Sequence, residues 1–189
     1  MERDQPDKEL IWEEISTEHI IKDQWIDFRK TSFRYPDGHV YEPFYTYSRR
    51  DYAVVVASDR EGNYICVRQF RQGIRQVTTE FPAGGIEKGE NTALECARRE
   101  LLEETGYVSD EWKHLLTVPS DATISDNYAH IFTAKKCRKA GKQHLDETER
   151  VNVELHSARE IEEMVKAGRF QQAVHVLAWL LSKEAGGKE

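Results

Sequence analysis

Residues 84–107 read GGIEKGENTALECARRELLEETGY, and the remainder of the chain is best read outward from them. From Thr92 to Thr105 the spacing is helical, with Ala93, Ala97 and Leu101 on one side and Leu94 beside them. Gly106 then serves as the C-terminal stop, where a left-handed residue favours glycine. Glu100, Glu103 and Glu104 fall at i, i+3 and i+4, so their carboxylates share one helix face. Like charges stacked this way repel by roughly 0.2–0.5 kcal/mol per exposed pair. A charge run is commonly just a solvated face, here neutralised by Arg98 and Arg99. The alternative is that the carboxylates hold a cation. The preceding loop, Ala83–Glu90, has glycine at 84, 85 and 89, which lets backbone pass close to whatever is held. Oxygen ligands of this kind suit Mg²⁺, an ion that polarises phosphoryl oxygens and activates water.

Around this segment the pattern alternates between strands and helices without regularity. Residues 11–47 are strand-like, with Ile20, Ile21, Trp25, Ile26 and Phe28, then Val40, Tyr41, Phe44 and Tyr45, separated by the turn signal Tyr35-Pro36-Asp37-Gly38. This layer, residues 1–47, is too small to enclose its own core. It is expected to pack on the main domain, residues 48–189, or on a second subunit. Residues 52–57 form an apolar run typical of a central strand, the turn Asp59–Asn63 follows, and Tyr64–Phe70 returns. A short strand is expected near Val77–Phe81 and a loop at Pro82–Gly85. Further strands are expected at Trp112–Val118, His130–Lys135 and Val151–Leu155. Ser157 to Glu160 makes a capping box that starts a helix to about Ala167. A second helix carries a core stripe of Phe170, Ala173, Val174, Leu177, Ala178 and Leu181. The mixture favours an α+β sandwich over a doubly wound sheet.

The 189 residues carry a formal charge of −7, with 39% apolar, 10% aromatic and 32% charged residues. Such a chain can build a core, and it repels phosphate backbones, which argues against nucleic-acid binding. An acidic protein with a phosphate ligand needs a bridging cation. Cys66, Cys96 and Cys137 are widely spaced and odd in number, against a disulfide framework or a zinc site. No apolar run approaches the length of a membrane span, and the charged N-terminus has no signal-like core. A cytoplasmic protein without membrane contact is expected.

The run from Gly84 through Glu90 to Arg99-Glu100-Leu101-Leu102-Glu103-Glu104-Thr105-Gly106-Tyr107 resembles the signature of the Nudix hydrolases. The resemblance implies an α/β/α sandwich with a mixed sheet, here with the N-terminal antiparallel layer added. It implies metal ligation by Glu100, Glu103 and Glu104, with the Ala83 carbonyl as a further ligand and Arg99 orienting the carboxylates. Mg²⁺ is the implied ion, with Mn²⁺ as a substitute. The chain departs from the signature at one place: eight residues, not seven, separate Glu90 from Arg99. Either one residue is inserted at the start of the helix, or Asn91 stands where the first glutamate belongs.

Beyond the signature, Val67-Arg68-Gln69-Phe70-Arg71 and Glu80-Phe81-Pro82-Ala83-Gly84 look like the ADP-ribose and nucleotide-sugar branch of that family. This likeness implies that Arg71 contacts a phosphate and that Glu80 lies in the site. The run Gln143–Glu149 resembles the mobile acidic loop of the branch, which makes Glu149 the general base, with Glu103 and Glu104 the other catalytic acids. Trp25 and Phe44 stand where related layers offer aromatics to the nucleobase, at an interface that implies a homodimer. The implied reaction is cleavage of the diphosphate of ADP-ribose or another nucleoside diphosphate sugar into a nucleoside monophosphate and a sugar phosphate. That group commonly has proline sixteen residues past the signature glycine, whereas Ala122 stands here. GDP-mannose, another nucleoside diphosphate sugar or a related dinucleotide therefore stands beside ADP-ribose as substrate, and separate rival readings are a hydrolase of nucleoside triphosphates, NADH or diadenosine polyphosphates and a non-catalytic nucleotide sensor.

Overall fold

The computed structural model describes residues 6–186. The chain divides into two compact units, a smaller one that runs to Arg50 and adds Pro119–Asn127, and a larger one made of Asp51–Val118 and the chain from Tyr128 onward.

The smaller unit is an antiparallel meander of β1 (Glu13–Lys22), β2 (Asp27–Arg34) and β3 (Val40–Ser48). At the β2–β3 turn Gly38 takes a φ of +90° and gives its N–H to the Tyr35 carbonyl at 2.9 Å, as the Pro-Asp-Gly signal requires. Trp25 lies in the β1–β2 turn, not in a strand. The Asp23 carboxylate accepts the N–H groups of Trp25 and Ile26 at 2.7 and 2.9 Å, a side-chain-closed turn that outcompetes the sheet. Phe44 sits in an aromatic cluster, edge-on to Trp12, Phe33 and Tyr41 at 6.1, 5.7 and 6.3 Å. Pro119–Asn127 belongs here through Tyr47, whose N–H reaches the Ile124 carbonyl at 2.8 Å, and through Asp126, which accepts from Ser48 and Arg29. Ile15, Ile20, Ile21, Val40 and Tyr45 remain exposed.

The larger unit is built on a mixed sheet. Its strands are β4 (Tyr52–Asp59), β5 (Tyr64–Arg71), β6 (Gln76–Glu80), β7 (Ala83–Gly85), β8 (Tyr107–Val108), β9 (Glu111–Pro119), β10 (Tyr128–Lys139) and β11 (Val151–His156). The order is β11-β5-β4-β10-β8, with β6 on β5, β7 on β4 and β9 on β10. The β4–β10 pair is parallel, and the β8–β10, β5–β11, β4–β5, β4–β7 and β5–β6 pairs are antiparallel. Along β4 the side chains alternate. Ala53, Val55 and Ala57 meet Cys96, Ala97 and Leu101 of helix α1 (Ala93–Thr105). Val54 and Val56 meet Ile161 and Met164 of α2 (Ala158–Lys166) and Ala178 and Trp179 of α3 (Ala173–Gly186). A strand buried on both faces reads as a continuous apolar run, which is why Tyr52–Ala57 was legible as central. The result is the α/β/α sandwich expected from the sequence.

A second expectation fails. Pro82–Gly85 is not simply a loop, because Ala83, Gly84 and Gly85 pair with Val54, Ala53 and Tyr52 as β7. β4 and β5 pair only near their hairpin and then diverge, leaving a free β4 edge for this glycine-rich segment. Among the described residues no helix is long and apolar enough to cross a membrane.

Candidate active site

Helix α1 presents the carboxylate face. Thr92 caps its N-terminus by accepting the Glu95 N–H at 3.2 Å. Asn91, the additional residue in the spacing, is absorbed in that turn, its N–H given to Glu95 at 2.8 Å. Glu90 therefore stays opposite Arg99, and Arg99 Nε donates to it at 2.9 Å. The departure is an insertion, and Asn91 does not replace the glutamate. Arg99 also donates to Glu100 at 2.7 Å, to Glu103 at 3.0 Å and to the Gly85 carbonyl at 2.9 Å. One guanidinium thus ties three carboxylates to the β7 backbone.

Glu100 and Glu104 are buried, at 8% and 3% exposure. Burial pushes the Glu100 carboxyl up to about 7 against the pull of Arg99, with Glu103 and Glu149 adding to the rise. Burial and the Glu100 charge push Glu104 up to about 8, against the hydrogen bond it accepts from the Ala83 N–H at 2.9 Å. Burial works against the Arg99 charge too, but its glutamates outweigh it and hold the guanidinium protonated. Gly84 lies directly under this group. A Cβ added there would come within 1.9 Å of Glu100 Oε1, so only glycine lets the carboxylate rest on β7.

This chemistry fits a hard divalent cation. The donors are carboxylate oxygens, two of them on buried side chains whose charge is costly without a positive partner, and one arginine serves a cluster of four acids. Among the described residues no three His, Cys, Asp or Glu side chains converge into a ready-made cation cage. Mg²⁺ does not require one, since it commonly takes one or two carboxylates together with water and substrate phosphate. Glu100, Glu103 and Glu104 are the residues that would hold it. The Ala83 backbone faces Glu104, and the contact formed there is through its N–H.

Arg71, at the end of β5, donates from Nε to Glu80 at 2.9 and 3.0 Å and from Nη2 at 2.5 Å. Glu80 is fully buried and also accepts from Thr78. Burial opposes the Glu80 charge, but Arg71 holds it below the usual carboxylate range. Arg71 is therefore presented by a buried partner and not free on a strand end. Beside this pair His175 of α3, buried, accepts the Phe81 N–H at 3.1 Å.

Glu149 is half-buried in the segment between β10 and β11, and its carboxylate accepts the Asp146 N–H at 3.0 Å. Its charge acts on both Glu100 and Glu104. The start of this segment is fastened to the end of α1. The carbonyls of Leu102, Glu103, Glu104 and Thr105 accept, in order, from Gly106 N at 2.7 Å, His144 N at 2.9 Å, Gln143 Nε2 at 2.7 Å and Lys139 Nζ at 2.7 Å. A helix leaves four carbonyls unpaired at this end, and three of the four α1 caps come from Lys139, Gln143 and His144.

The larger unit thus brings together Glu100, Glu103, Glu104, Arg99, Ala83 and Glu149, with Arg71 and Glu80 linked as a pair whose arginine charge reaches Glu104. Trp25 and Phe44 lie in the smaller unit, Trp25 exposed with the Arg50 guanidinium 5.8 Å from its ring centroid and Phe44 within the aromatic cluster. The sequence reading overlooked His175 and the capping roles of Lys139 and Gln143. A polar residue set within the apolar α3 stripe is the signal that could have flagged the histidine.

An Arg-Glu-x-x-Glu-Glu helix against a glycine-floored strand in a mixed sandwich defines a class. The sequence model of the NUDIX domain matches residues 48–180, and the chain belongs to the Nudix hydrolase family. Among its relatives is an ADP-ribose pyrophosphatase of Bacillus subtilis (strain 168), 29% identical over 94% of this chain and 97% of the relative. A methanol dehydrogenase activator of Bacillus methanolicus is 29% identical over 87% of this chain and 88% of its own. An ADP-sugar pyrophosphatase of Mus musculus is 32% identical over 68% of this chain and 62% of its own length. A crystal structure of an ADP compounds hydrolase superposes with a TM-score of 0.79 at 18% identity, covering 94% of this chain and 96% of the other, and supports the fold.

Proposed function

We propose that the protein hydrolyses the diphosphate bond of ADP-ribose or another nucleoside diphosphate sugar, releasing a nucleoside monophosphate and a sugar phosphate, with Mg²⁺ as the ion and Mn²⁺ as a substitute. The observation that carries this reading is the Arg99-centred cluster, in which Glu100, Glu103 and the glycine-floored β7 are held together while Glu100 and Glu104 stay buried in a group with more carboxyls than its one arginine can pair. The names of the pyrophosphatase relatives support the substrate class.

When bound, Mg²⁺ would offset the charge of the diphosphate and make water a better nucleophile. The protein's own groups divide the remaining work. Arg71, steadied by Glu80, offers its guanidinium to a phosphate oxygen. Arg99 keeps Glu100 and Glu103 in place and ties them to Gly85. Glu149 accepts the proton of the attacking water as the water oxygen bonds to one phosphorus and the bridging P–O bond breaks. Glu103 and Glu104 are the other candidates for that proton. Ala83 would add its carbonyl to the ligands of the ion. Trp25 and Phe44 are proposed to stack on the nucleobase in a homodimer built through residues 1–47, whose exposed Ile15, Ile20, Ile21 and Tyr45 offer an apolar surface for it. All three cysteines are free and buried, which suits the reducing cytoplasm we propose as its compartment.

The test is monophosphate release from ADP-ribose, GDP-mannose, UDP-glucose, NADH, ATP and diadenosine polyphosphates, with Mg²⁺ and with chelator. A Glu104→Gln variant is expected to lose on the order of a hundredfold or more in kcat, at least what a lost metal-site partner costs. Turnover that survives chelator or the variant would overturn the metal reading. Preference for ATP or diadenosine polyphosphates would overturn the substrate class, and binding without turnover would make the protein a sensor.

A further inference from the structure

β6 ends at Glu80 and β7 begins at Ala83, so the chain passes from the edge of β5 to the edge of β4 within two residues. Neither ladder spans that step, and its backbone groups need partners from elsewhere. Pro82 has no N–H, and its carbonyl accepts from Val55 at 2.9 Å. Ala83 gives its N–H to Glu104 at 2.9 Å. Phe81, fully buried, gives its N–H to His175 Nδ1 at 3.1 Å. The imidazole belongs to α3, outside the signature segment, and is itself only 4% exposed. Because Nδ1 accepts, the ring proton resides on Nε2 and the ring is neutral.

Each end of this crossing carries a part of the site. On one side Glu80 holds Arg71, and on the other Ala83 holds Glu104. A displaced Phe81 backbone would move both. An apolar side chain at position 175 would leave the Phe81 N–H without a partner in a dry core, which the chain could relieve only by shifting that backbone.

We infer that His175 is a positioning residue for the hydrolysis: by accepting the Phe81 N–H it fixes the Glu80–Ala83 crossing, and through it both the arginine arm and the carboxylate helix. The inference rests on the site assignment made under Proposed function. A supporting group of this kind acts through geometry, where small misplacements are costly.

The experiment compares wild type with His175→Asn, whose amide oxygen keeps an acceptor near the Nδ1 position, and His175→Leu, which fills space without one. The first readout is amide exchange at Phe81 and Ala83 in metal-free protein, followed by NMR. Protection is expected in wild type and the asparagine variant, with exchange at least about tenfold faster in the leucine variant as the local structure opens. The second readout is kcat and KM on ADP-ribose with Mg²⁺. The leucine variant is expected to lose about tenfold or more in kcat/KM, and the asparagine variant to stay close to wild type. Equal Phe81 protection in all three proteins overturns the inference, and so does an asparagine variant as impaired as the leucine one. If the leucine variant fails to fold, the asparagine variant decides, since loss of Phe81 protection or of activity there refutes the acceptor role. A wild-type protein inactive on ADP-ribose overturns the substrate reading alone, and the exchange data still decide this one.

Discussion

The two arginine–glutamate groups of the candidate site differ in stoichiometry. Arg71 and Glu80 form a one-to-one pair whose carboxylate is wholly buried. Arg99 faces Glu90, Glu100 and Glu103 at once, with Glu104 close behind. The first group is electrically complete and can be read as a structural bracket that presents a cation. The second carries more negative charge than its arginine can neutralise, and that excess is the property a metal-dependent phosphate site needs. What separates support from chemistry here is the charge left over after pairing, since both groups use the same two residue types.

Removing each arginine breaks the comparison most sharply. Arg71→Ala strands a buried carboxylate and is expected to cost about 3–5 kcal/mol in unfolding free energy, with little recovery on adding Mg²⁺. Arg99→Ala is expected to destabilise the chelated protein and to regain a good part of that loss in Mg²⁺, because the freed carboxylates gain another counter-charge. Denaturant unfolding with Mg²⁺ and with chelator measures both. Equal Mg²⁺ recovery in the two variants would show that the groups do not differ in the way argued.

The bracket also has a pH signature. Burial depresses the His175 imidazole to about 4 from an ordinary 6.5, despite the nearby Glu80 charge and with Arg71 adding to the depression. The unfolded chain therefore binds a proton that the folded one refuses between those values. The stability contribution of the neutral ring is complete above about pH 6.5 and is lost as pH falls toward 4, by about 3 kcal/mol in total. The difference in unfolding free energy between wild type and His175→Asn across pH 4–7 isolates this from the carboxylates. A flat difference would refute it.

The smallest effect tests the carboxylate cluster without touching a charge. Gly84 has an ordinary backbone conformation, so alanine is tolerated by the chain, but its Cβ would meet the Glu100 carboxylate. Gly84→Ala is expected to lower kcat by about tenfold, equivalent to about 1.4 kcal/mol in the barrier, while leaving the melting temperature close to wild type. Unchanged kcat would mean that Glu100 need not rest on β7.

Those parts of the site that obey local rules were legible in the sequence. That Glu100, Glu103 and Glu104 share one helix face follows from helical spacing, and β4 follows from an unbroken apolar run, whereas a metal role for the three glutamates came from the resemblance of the segment to the Nudix signature. What escaped the sequence is set by tertiary contact. Ala83-Gly84-Gly85 has the composition of a loop and becomes a strand only because β4 offers an open edge. Tyr107–Val108 is too short to show any period. Trp25 has strand-like neighbours, yet Asp23 closes a turn around it. The grouping of Pro119–Asn127 with the smaller unit depends on pairings such as Tyr47 with Ile124, which no local pattern announces. The spacing of Glu90 and Arg99 was ambiguous by one residue, and the position of the Thr92 cap resolved it.

The capping of α1 by Lys139, Gln143 and His144 bears on how Glu149 is delivered. Ala140 and Gly141 also bind the Gly106 carbonyl, so the first half of the segment after β10 is moored to α1, and Leu145–Arg150, closed on itself by the Asp146–Glu149 hydrogen bonds, spans the rest before β11 begins. The volume that the Glu149 carboxylate samples shrinks with the length of untethered chain. Its local concentration above the glutamate face rises accordingly. A helix terminus that had to satisfy four stray carbonyls would thereby act as the tether that sets how often the proposed base meets its water.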